Sequence, residues 1–118
     1  MNIPVISLYI SGAVAIIIAI VHGVLAETQV FPNARIEPPQ TRRLLHLVWQ
    51  AGTAAWLAGG ILLLASPSLS DALARHWIII AAFLIYGVAA VFNAIASRGH
   101  HFGWMVLAAV VVFAALGW

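Results

Sequence analysis

Histidine is the residue type in this sequence with the widest choice of chemistry. Four of the five histidines lie close to the ends of apolar stretches that would finish at one membrane face: His22, His46, His100 and His101. Imidazole tolerates an apolar setting when neutral, titrates near pH 7 and ligates metals. The shared depth of these side chains predicts a polar site at that face. His100, next to a glycine in a tight connection, is expected to be solvated.

A metal or cofactor site is the leading interpretation of this cluster. The predicted ligands are His22, His46 and His101, with Glu27 as an oxygen donor, a set that suits a transition metal such as Zn, Cu or Fe. Each imidazole nitrogen would have to lie about 2.0–2.1 Å from the ion. Residues 22 and 27 are about 140° apart on an ideal helix. Glu27 could therefore ligate the same ion as His22 only if the helix ended before residue 27. A haem with axial ligands from two helices is the second cofactor considered.

Polar residues of the second and third apolar stretches are predicted to complete the lining of the site. They are Gln50, Thr53, Tyr86, Asn93, Ser97 and Arg98. His46, Gln50 and Thr53 share one helical face at i, i+4 and i+7. In the alternative interpretation, these side chains belong to a structural or accessory membrane subunit and only form interhelical hydrogen bonds, which contribute about 0.6 kcal/mol each.

Two other classes of function are alternatives to these. His22, His46 and Glu27 could relay protons or line a path for a small solute, which would require a homo-oligomer because four helices leave little lumen. Enzyme chemistry has weak support, since Glu27, Glu37 and Asp71 are the only acids and no glycine-framed nucleophile turn is present. The absence of cysteine excludes disulfides and thiolate ligands. Without a basic stripe or an aromatic platform, nucleic acid is not an expected partner.

The elements that must position these residues are apolar helices. Of the 118 residues, 64% are apolar and 7% are charged. In lipid, backbone N–H and C=O groups must bond to one another, so apolar stretches of this kind are expected to be helices. We predict an all-α, four-helix transmembrane bundle in one domain, 1–118, with helices over about 4–26, 41–65, 72–97 and 102–118. The connection 27–40 contains three prolines and is predicted not to be continuous helix. Ser70-Asp71 is predicted to cap the start of the third helix. Since Met1 to Ile3 carries no Lys or Arg, we expect the first helix to be retained rather than cleaved.

The arginines predict the orientation of the bundle in a bacterial inner membrane. Arg35, Arg42, Arg43 and Arg98 lie in the two connections at the histidine-bearing end, and only Arg75 lies at the other end. The positive-inside rule therefore places those connections in the cytoplasm and both termini outside it. The lipid bilayer is the predicted partner, with a homo-oligomer or a larger membrane complex as further possibilities.

Two further sequence patterns concern helix packing: a stripe of small residues and a weak internal repeat. Spacings of three and four form a stripe on the first helix: Gly12, Ala15, Ala19, Gly23 and Ala26. Such a stripe lets a neighbouring helix approach closely. Residues 19–27 also align with 90–98, which puts His22 on Asn93, and His46 with Trp49 corresponds to His101 with Trp104. The alternative to a duplicated hairpin is that apolar helices align with one another easily.

The order of these residues resembles a group of small bacterial four-helix membrane proteins of uncharacterised function. The resemblance covers nearly the whole chain and rests on three segments: His22-x-x-x-Ala26-Glu27, Arg42-Arg43 followed by Trp49-Gln50, and Arg98-Gly99-His100-His101-x-Gly103-Trp104. The group is expected to have a histidine directly after the second-helix tryptophan, where this sequence has Gln50. The resemblance implies a four-helix fold and an inner-membrane location, and it implies no activity.

Overall fold

The computed structural model describes residues 2–118, which form four helices. We number them α1 (Ile3–Asn33), α2 (Pro39–Ser68), α3 (Ala72–Ala96) and α4 (Gly103–Leu116). No strand occurs among residues 2–118, so the prediction of an all-helical chain with four helices is confirmed. The molecule measures 50 × 26 × 19 Å along its principal axes.

The first helix is longer than predicted. It is α-helical over Ile3–Leu25, widens into a π-helical turn over Ala26–Val30 and closes with one short turn over Phe31–Asn33. The helix therefore runs seven residues past its expected end at residue 26, and the chain between the first two helices is non-helical only over 34–38. Pro32 lies within the short last turn, and the helix ends directly after it, at Asn33.

The other helix ends lie within two residues of the predicted ones, apart from the last turn of α2. The second helix begins at Pro39, two residues before the predicted Thr41, and its last turn, Ser66–Ser68, is a 3₁₀ turn. The Asp71 carboxylate accepts from Leu73 N–H at 2.8 Å and caps α3 as predicted. The third helix stops at Ala96 because Arg98 and Gly99 adopt left-handed φ values of 51° and 76°.

The four helices form an antiparallel bundle in which each packs on its two neighbours. The closest approach is between α1 and α2, where a Cβ on Gly12 would lie 2.8 Å from the Gly60 carbonyl oxygen. Gly12 belongs to the small-residue stripe on α1, which is predicted to let a neighbouring helix approach closely. The Ser11 hydroxyl donates to the Val110 carbonyl at 2.7 Å and joins α1 to α4. On α3, Tyr86 is fully buried, and its hydroxyl donates to the Trp56 carbonyl of α2.

The outside of the bundle is apolar over most of its length. Side chains such as Leu84, Phe92 and Ile95 are 65%, 66% and 70% exposed. Apolar surface on this scale marks contact with lipid or with other protein. Three helices, α1 to α3, are long and apolar enough to span a membrane. The fourth has 14 residues, or about 21 Å at 1.5 Å per residue, less than the hydrocarbon thickness of about 30 Å.

The two hairpins do not share the contacts that their alignment pairs. Trp49 donates its indole N–H to the carbonyl of His22, on the preceding helix. The corresponding Trp104 donates instead to Gly99, in the tight connection before its own helix. The π-helical turns also differ, since one lies near the end of α1 and the other, Phe83–Gly87, interrupts α3 near its middle. Duplication of the hairpin stays a prediction from the sequence.

Candidate functional site

The arginine-rich end of the bundle, where α1 and α3 end and α2 and α4 begin, contains most of the predicted polar residues. His22 lies at its centre. Its Nδ1 is 2.8 Å from the Thr53 hydroxyl oxygen of α2. The Trp49 indole stacks on the imidazole with a centroid distance of 4.5 Å and an interplanar angle of 14°, and Trp56 packs on it at 4.2 Å. The ring is thus fixed on three sides by α2.

The α1 backbone around His22 is fixed by the same face of α2. The indole N–H of Trp49 donates to the His22 carbonyl at 3.0 Å, and the Gln50 amide donates to the Gly23 carbonyl at 3.3 Å. Gly23 allows this approach, because a Cβ there would lie 2.9 Å from the Thr53 methyl group. The helical face predicted for His46, Gln50 and Thr53 therefore faces α1.

Glu27 forms a separate polar contact at the rim. Its Oε1 accepts from His46 Nε2 and from Gln50 Nε2, each at 2.6 Å. The side chains of His46 and Glu27 are 31% and 55% exposed, so solvent screens this pair. Nearby, the Phe31 ring packs on His46 at 4.6 Å, and the Arg42 guanidinium donates to the Phe31 carbonyl. We call this set the rim contact: Glu27, Phe31, Arg42, His46 and Gln50.

Ordinary α-helical spacing explains how Glu27 reaches α2. Glu27 is four residues after Gly23, so the two positions lie on one face of α1, and the Gln50 amide bonds to both of them. The backbone from His22 to Ala26 is α-helical, and the wider π turn follows, with Phe31 N–H bonded to the Ala26 carbonyl. The sequence prediction required the helix to end before Glu27 for that side chain to join His22, whereas the helix continues and Glu27 contacts His46 instead.

A cavity of about 310 Å³ lies beside His22, between α1 and the facing ends of α3 and α4. Its wall is mainly apolar and includes the rings of Trp49, Trp56 and Phe102. Four polar side chains reach it, from α1, from α3 and from the connection between α3 and α4: His22, Asn93, Ser97 and His101. A mostly apolar cavity with a few convergent polar groups is the usual form of a small-molecule site.

Asn93 contributes an unpartnered acceptor beside this cavity. Its Oδ1 is enclosed and has no hydrogen-bond partner within residues 2–118. A buried unpaired polar group of this kind costs about 1–3 kcal/mol. Gly103 packs closely against both side chains: a Cβ at this position would lie 3.3 Å from Asn93 Oδ1 and 2.9 Å from His101 Nδ1. The Gly103 N–H donates to that imidazole nitrogen at 3.1 Å.

The predicted site residues therefore divide into three groups. His22, Asn93, Ser97 and His101 line the cavity. Glu27, His46 and Gln50 form the rim contact, and Thr53 supports His22 from behind. Tyr86 lies deeper, in the core, and Arg98 lies in the connection after α3. His100 is exposed as predicted, and His76 stacks on Trp118 at the opposite end.

The predicted metal ligands are not gathered around one point. Within residues 2–118 no group of three or more His, Asp or Glu side chains could hold a metal ion. Glu27 and His46 are in contact, while His22 bonds to Thr53 and His101 to the Gly103 N–H. Each histidine instead packs on aromatic rings, His22 on Trp49 and Trp56 and His46 on Phe31.

The aromatic wall of the cavity is what sequence reasoning misses. The sequence places Trp49 and Trp56 only on a strip next to the polar face of α2, and it gives Phe102 no role. The available signal is spacing. Trp49 and Trp56 are seven residues apart and adjoin His46, Gln50 and Thr53 on the helical surface. Tryptophans next to a buried polar face indicate an aromatic pocket around that face.

A second, smaller cavity of about 180 Å³ lies at the opposite end. Its lining includes Arg75, His76 and Trp118. It contains none of the predicted site residues.

Comparison with known proteins adds no relative to this description. No protein-family model, curated protein or solved structure matches the chain. Any function must therefore be inferred from the geometry of the arginine-rich end.

Proposed function

We propose that this chain is an integral membrane protein that binds a small, largely apolar molecule in the cavity beside His22. The observation that carries the proposal is the composition of that cavity: about 310 Å³, a mainly apolar and aromatic wall, and polar groups from several helix ends. An apolar cavity of about 150 Å³ is large enough for benzene. The volume here accommodates a molecule of about two fused rings.

The membrane setting of the proposal rests on the first three helices. Their length and composition are compatible with spanning, and we infer that α4 crosses as well, with local thinning of the bilayer around its short apolar length. We further propose a bacterial inner-membrane location, as the resemblance implies, with the arginine-rich end in the cytoplasm and both termini outside. The cavity would then open near the cytoplasmic headgroup region.

The test is a titration of the full chain in detergent micelles with naphthalene, a two-ring apolar probe. The five tryptophans give five indole N–H signals in a ¹H–¹⁵N spectrum. Trp49 and Trp56 line the cavity, whereas Trp77 is 62% exposed and lines neither cavity. We expect saturable shifts of the Trp49 and Trp56 signals and none of the Trp77 signal.

A cavity-filling variant separates binding in the cavity from partition into the micelle. Ala96 lines the cavity, and Ala96→Phe should abolish the saturable shifts. Ala81→Phe is the matched control on the same helix, because Ala81 is exposed and does not line the cavity. Equal small shifts of all five indoles, or titrations unchanged by Ala96→Phe, would contradict the proposal.

The other hypotheses predict different results. A metal-binding protein would take up zinc, copper or iron during purification without chelators, and Glu27→Gln together with His46→Gln would remove that metal. A purely structural role predicts no indole shifts and normal assembly of a His22→Gln, His46→Gln variant. A proton pathway predicts flux in proteoliposomes that disappears in His46→Ala.

A further inference from the structure

The contacts of Thr53 favour one position for the proton of His22. The Thr53 hydroxyl lies 3.2 Å from the Trp49 carbonyl, which can only accept, and 2.8 Å from His22 Nδ1, which can donate or accept. Both contacts are satisfied together when the hydroxyl donates its single proton to the carbonyl and Nδ1 donates to the hydroxyl oxygen, and Nδ1 then carries the imidazole proton. In a neutral imidazole the other nitrogen, Nε2, is then an acceptor.

The packing of the ring leaves Nε2 to the cavity. Trp49 and Trp56 pack on the imidazole, and the Nδ1 edge is occupied by Thr53. Nε2 lies on the far edge of the ring and forms no hydrogen bond within the described residues 2–118. Because His22 is one of the residues that line the cavity, this edge is the one that an occupant meets.

The cavity presents this acceptor within a mostly apolar wall. Such an acceptor favours an occupant that brings its own O–H or N–H group, since an acceptor left unpaired on binding is destabilising. The Asn93 Oδ1 is enclosed and has no partner among residues 2–118, but its enclosure also closes it to an occupant, so the inference uses His22 alone. The wall of Trp49, Trp56 and Phe102 favours a flat aromatic body, which packs on such rings by offset stacking or edge contacts.

We propose that the cavity selects a hydroxyl-bearing aromatic molecule of about two fused rings, whose O–H donates to His22 Nε2. The inference rests on the proposed function and names its ligand class. Phenol-type and quinol-type head groups share this chemistry. Thr53 acts as a positioning residue, because it touches only the far nitrogen of the imidazole and holds the proton on Nδ1.

The experiment compares three probes in the indole titration: 2-naphthol, naphthalene and 2-methoxynaphthalene. All three have the same ring system, and only the first can donate. A net hydrogen bond of about 0.5–1.5 kcal/mol corresponds to about twofold to tenfold in affinity, so 2-naphthol should bind tighter than both others by about that factor. Equal affinities of the three probes would overturn the inference while leaving the proposed function intact. If none of the three shifts Trp49 and Trp56, the proposed function itself fails.

Two pairs of variants assign the preference to His22. His22→Phe keeps an aromatic ring between the tryptophans but has no acceptor, and it should reduce the preference for 2-naphthol to about onefold. His76→Phe is its matched control, since His76 also stacks on a tryptophan but lines only the second cavity. Thr53→Val should lower the preference, and Thr53→Ser should restore it.

The reverse preference would also be decisive. Tighter binding of 2-methoxynaphthalene than of 2-naphthol in the unmodified chain would mean that Nε2 carries the proton, and it would overturn the assignment. Because the comparison of probes uses the unmodified chain, it stands even if His22→Phe fails to fold.

Discussion

At the scale of the residue, ligand selection depends on the state of His22. Its environment is asymmetric, with a hydroxyl on Nδ1, indoles on the ring and the cavity at the remaining edge. Thr53 is the only polar side chain bonded to this imidazole within residues 2–118. The tautomer is therefore set by one hydroxyl group and the carbonyl behind it.

Replacement of Thr53 tests that dependence without any ligand. In the unmodified chain we expect a long-range ¹H–¹⁵N spectrum of the His22 ring to show a protonated Nδ1 and an unprotonated Nε2. Thr53→Val removes the acceptor and should produce a mixture of the two tautomers, whereas Thr53→Ser should keep the Nδ1–H form. An Nε2–H form in the unmodified chain would contradict the hydrogen-bond assignment.

For these residues, the sequence predicts correctly which side chains share a helical face. The i, i+4, i+7 spacing of His46, Gln50 and Thr53 is enough to put them on one face. It cannot tell which partners that face meets, because partner choice depends on the register of two helices. In the structure His22 bonds to Thr53 and His46 bonds to Glu27, partners that the spacing alone does not select.

At the scale of the element, the approach of α1 to α2 depends on glycine. A Cβ on Gly12 would meet the Gly60 carbonyl oxygen, the Leu64 backbone N and the Leu64 side chain, each at 2.8 Å. Backbone atoms cannot move aside as a flexible side chain can. In contrast, a Cβ on Gly52 would meet no atom within 4 Å.

These two glycines should respond to alanine in opposite directions. Gly12→Ala forces the helices apart and should lower the free energy of unfolding by about 1–3 kcal/mol, as overpacking does. Gly52→Ala adds only helix propensity and should raise it by up to about 1 kcal/mol. Thermal unfolding in detergent measures both variants. If Gly12→Ala proved as stable as Gly52→Ala, the close α1–α2 contact would be wrong.

The rim contact should hold the end of α1 in its helical form. Glu27 bonds to two side chains of α2, and Phe31 accepts from Arg42. Glu27→Ala removes the first two bonds, and we expect faster amide hydrogen exchange over the last turns, 27–33, with no change over 8–19. The control is Thr28→Ala, because the Thr28 hydroxyl bonds only to the Val24 carbonyl of its own helix. Unchanged exchange in Glu27→Ala would show that the π turn persists without the rim contact.

Helix boundaries show what sequence reasoning captures at this scale. The Asp71 cap and the break near Ser97 are predicted correctly, because they depend on local capping and apolar length. The extension of α1 to Asn33 is not, because it requires bonds from α2 to a π turn. Three prolines in residues 27–40 indicate a break, but tertiary contacts decide where it falls.

At the scale of the whole molecule, the distribution of charge gives a testable orientation. The chain contains no cysteine, so single cysteines can be labelled without background. Ser70 lies in the connection before α3, and His100 lies in the connection before α4. Both residues are exposed. The proposed orientation puts Ser70 outside and His100 in the cytoplasm.

A membrane-impermeant maleimide applied to bacterial spheroplasts should therefore label Ser70→Cys strongly. It should label His100→Cys only after the membrane is permeabilised. The reverse pattern would invert the topology, and labelling of both sites in intact spheroplasts would contradict the inference that α3 crosses the membrane.

The four-helix architecture follows from composition, while the cavity does not. Long apolar stretches in lipid must be helices, and short connections make neighbours antiparallel. A void between α1, α3 and α4 depends on how the ends of three helices diverge, which no periodicity encodes. The sequence hints at it only through the spacing of Trp49 and Trp56 and through two small residues, Ala96 at the end of α3 and Gly103 at the start of α4.

The central claim is that an aromatic hydroxyl compound occupies this cavity and donates to His22. Its most direct test is diffraction from crystals of the chain with 6-bromo-2-naphthol, because bromine gives an anomalous signal that marks the probe. We predict a peak inside the cavity, with the hydroxyl oxygen within hydrogen-bond distance of His22 Nε2. Bromine peaks found only on the lipid-facing surface, with an empty cavity, would contradict the claim.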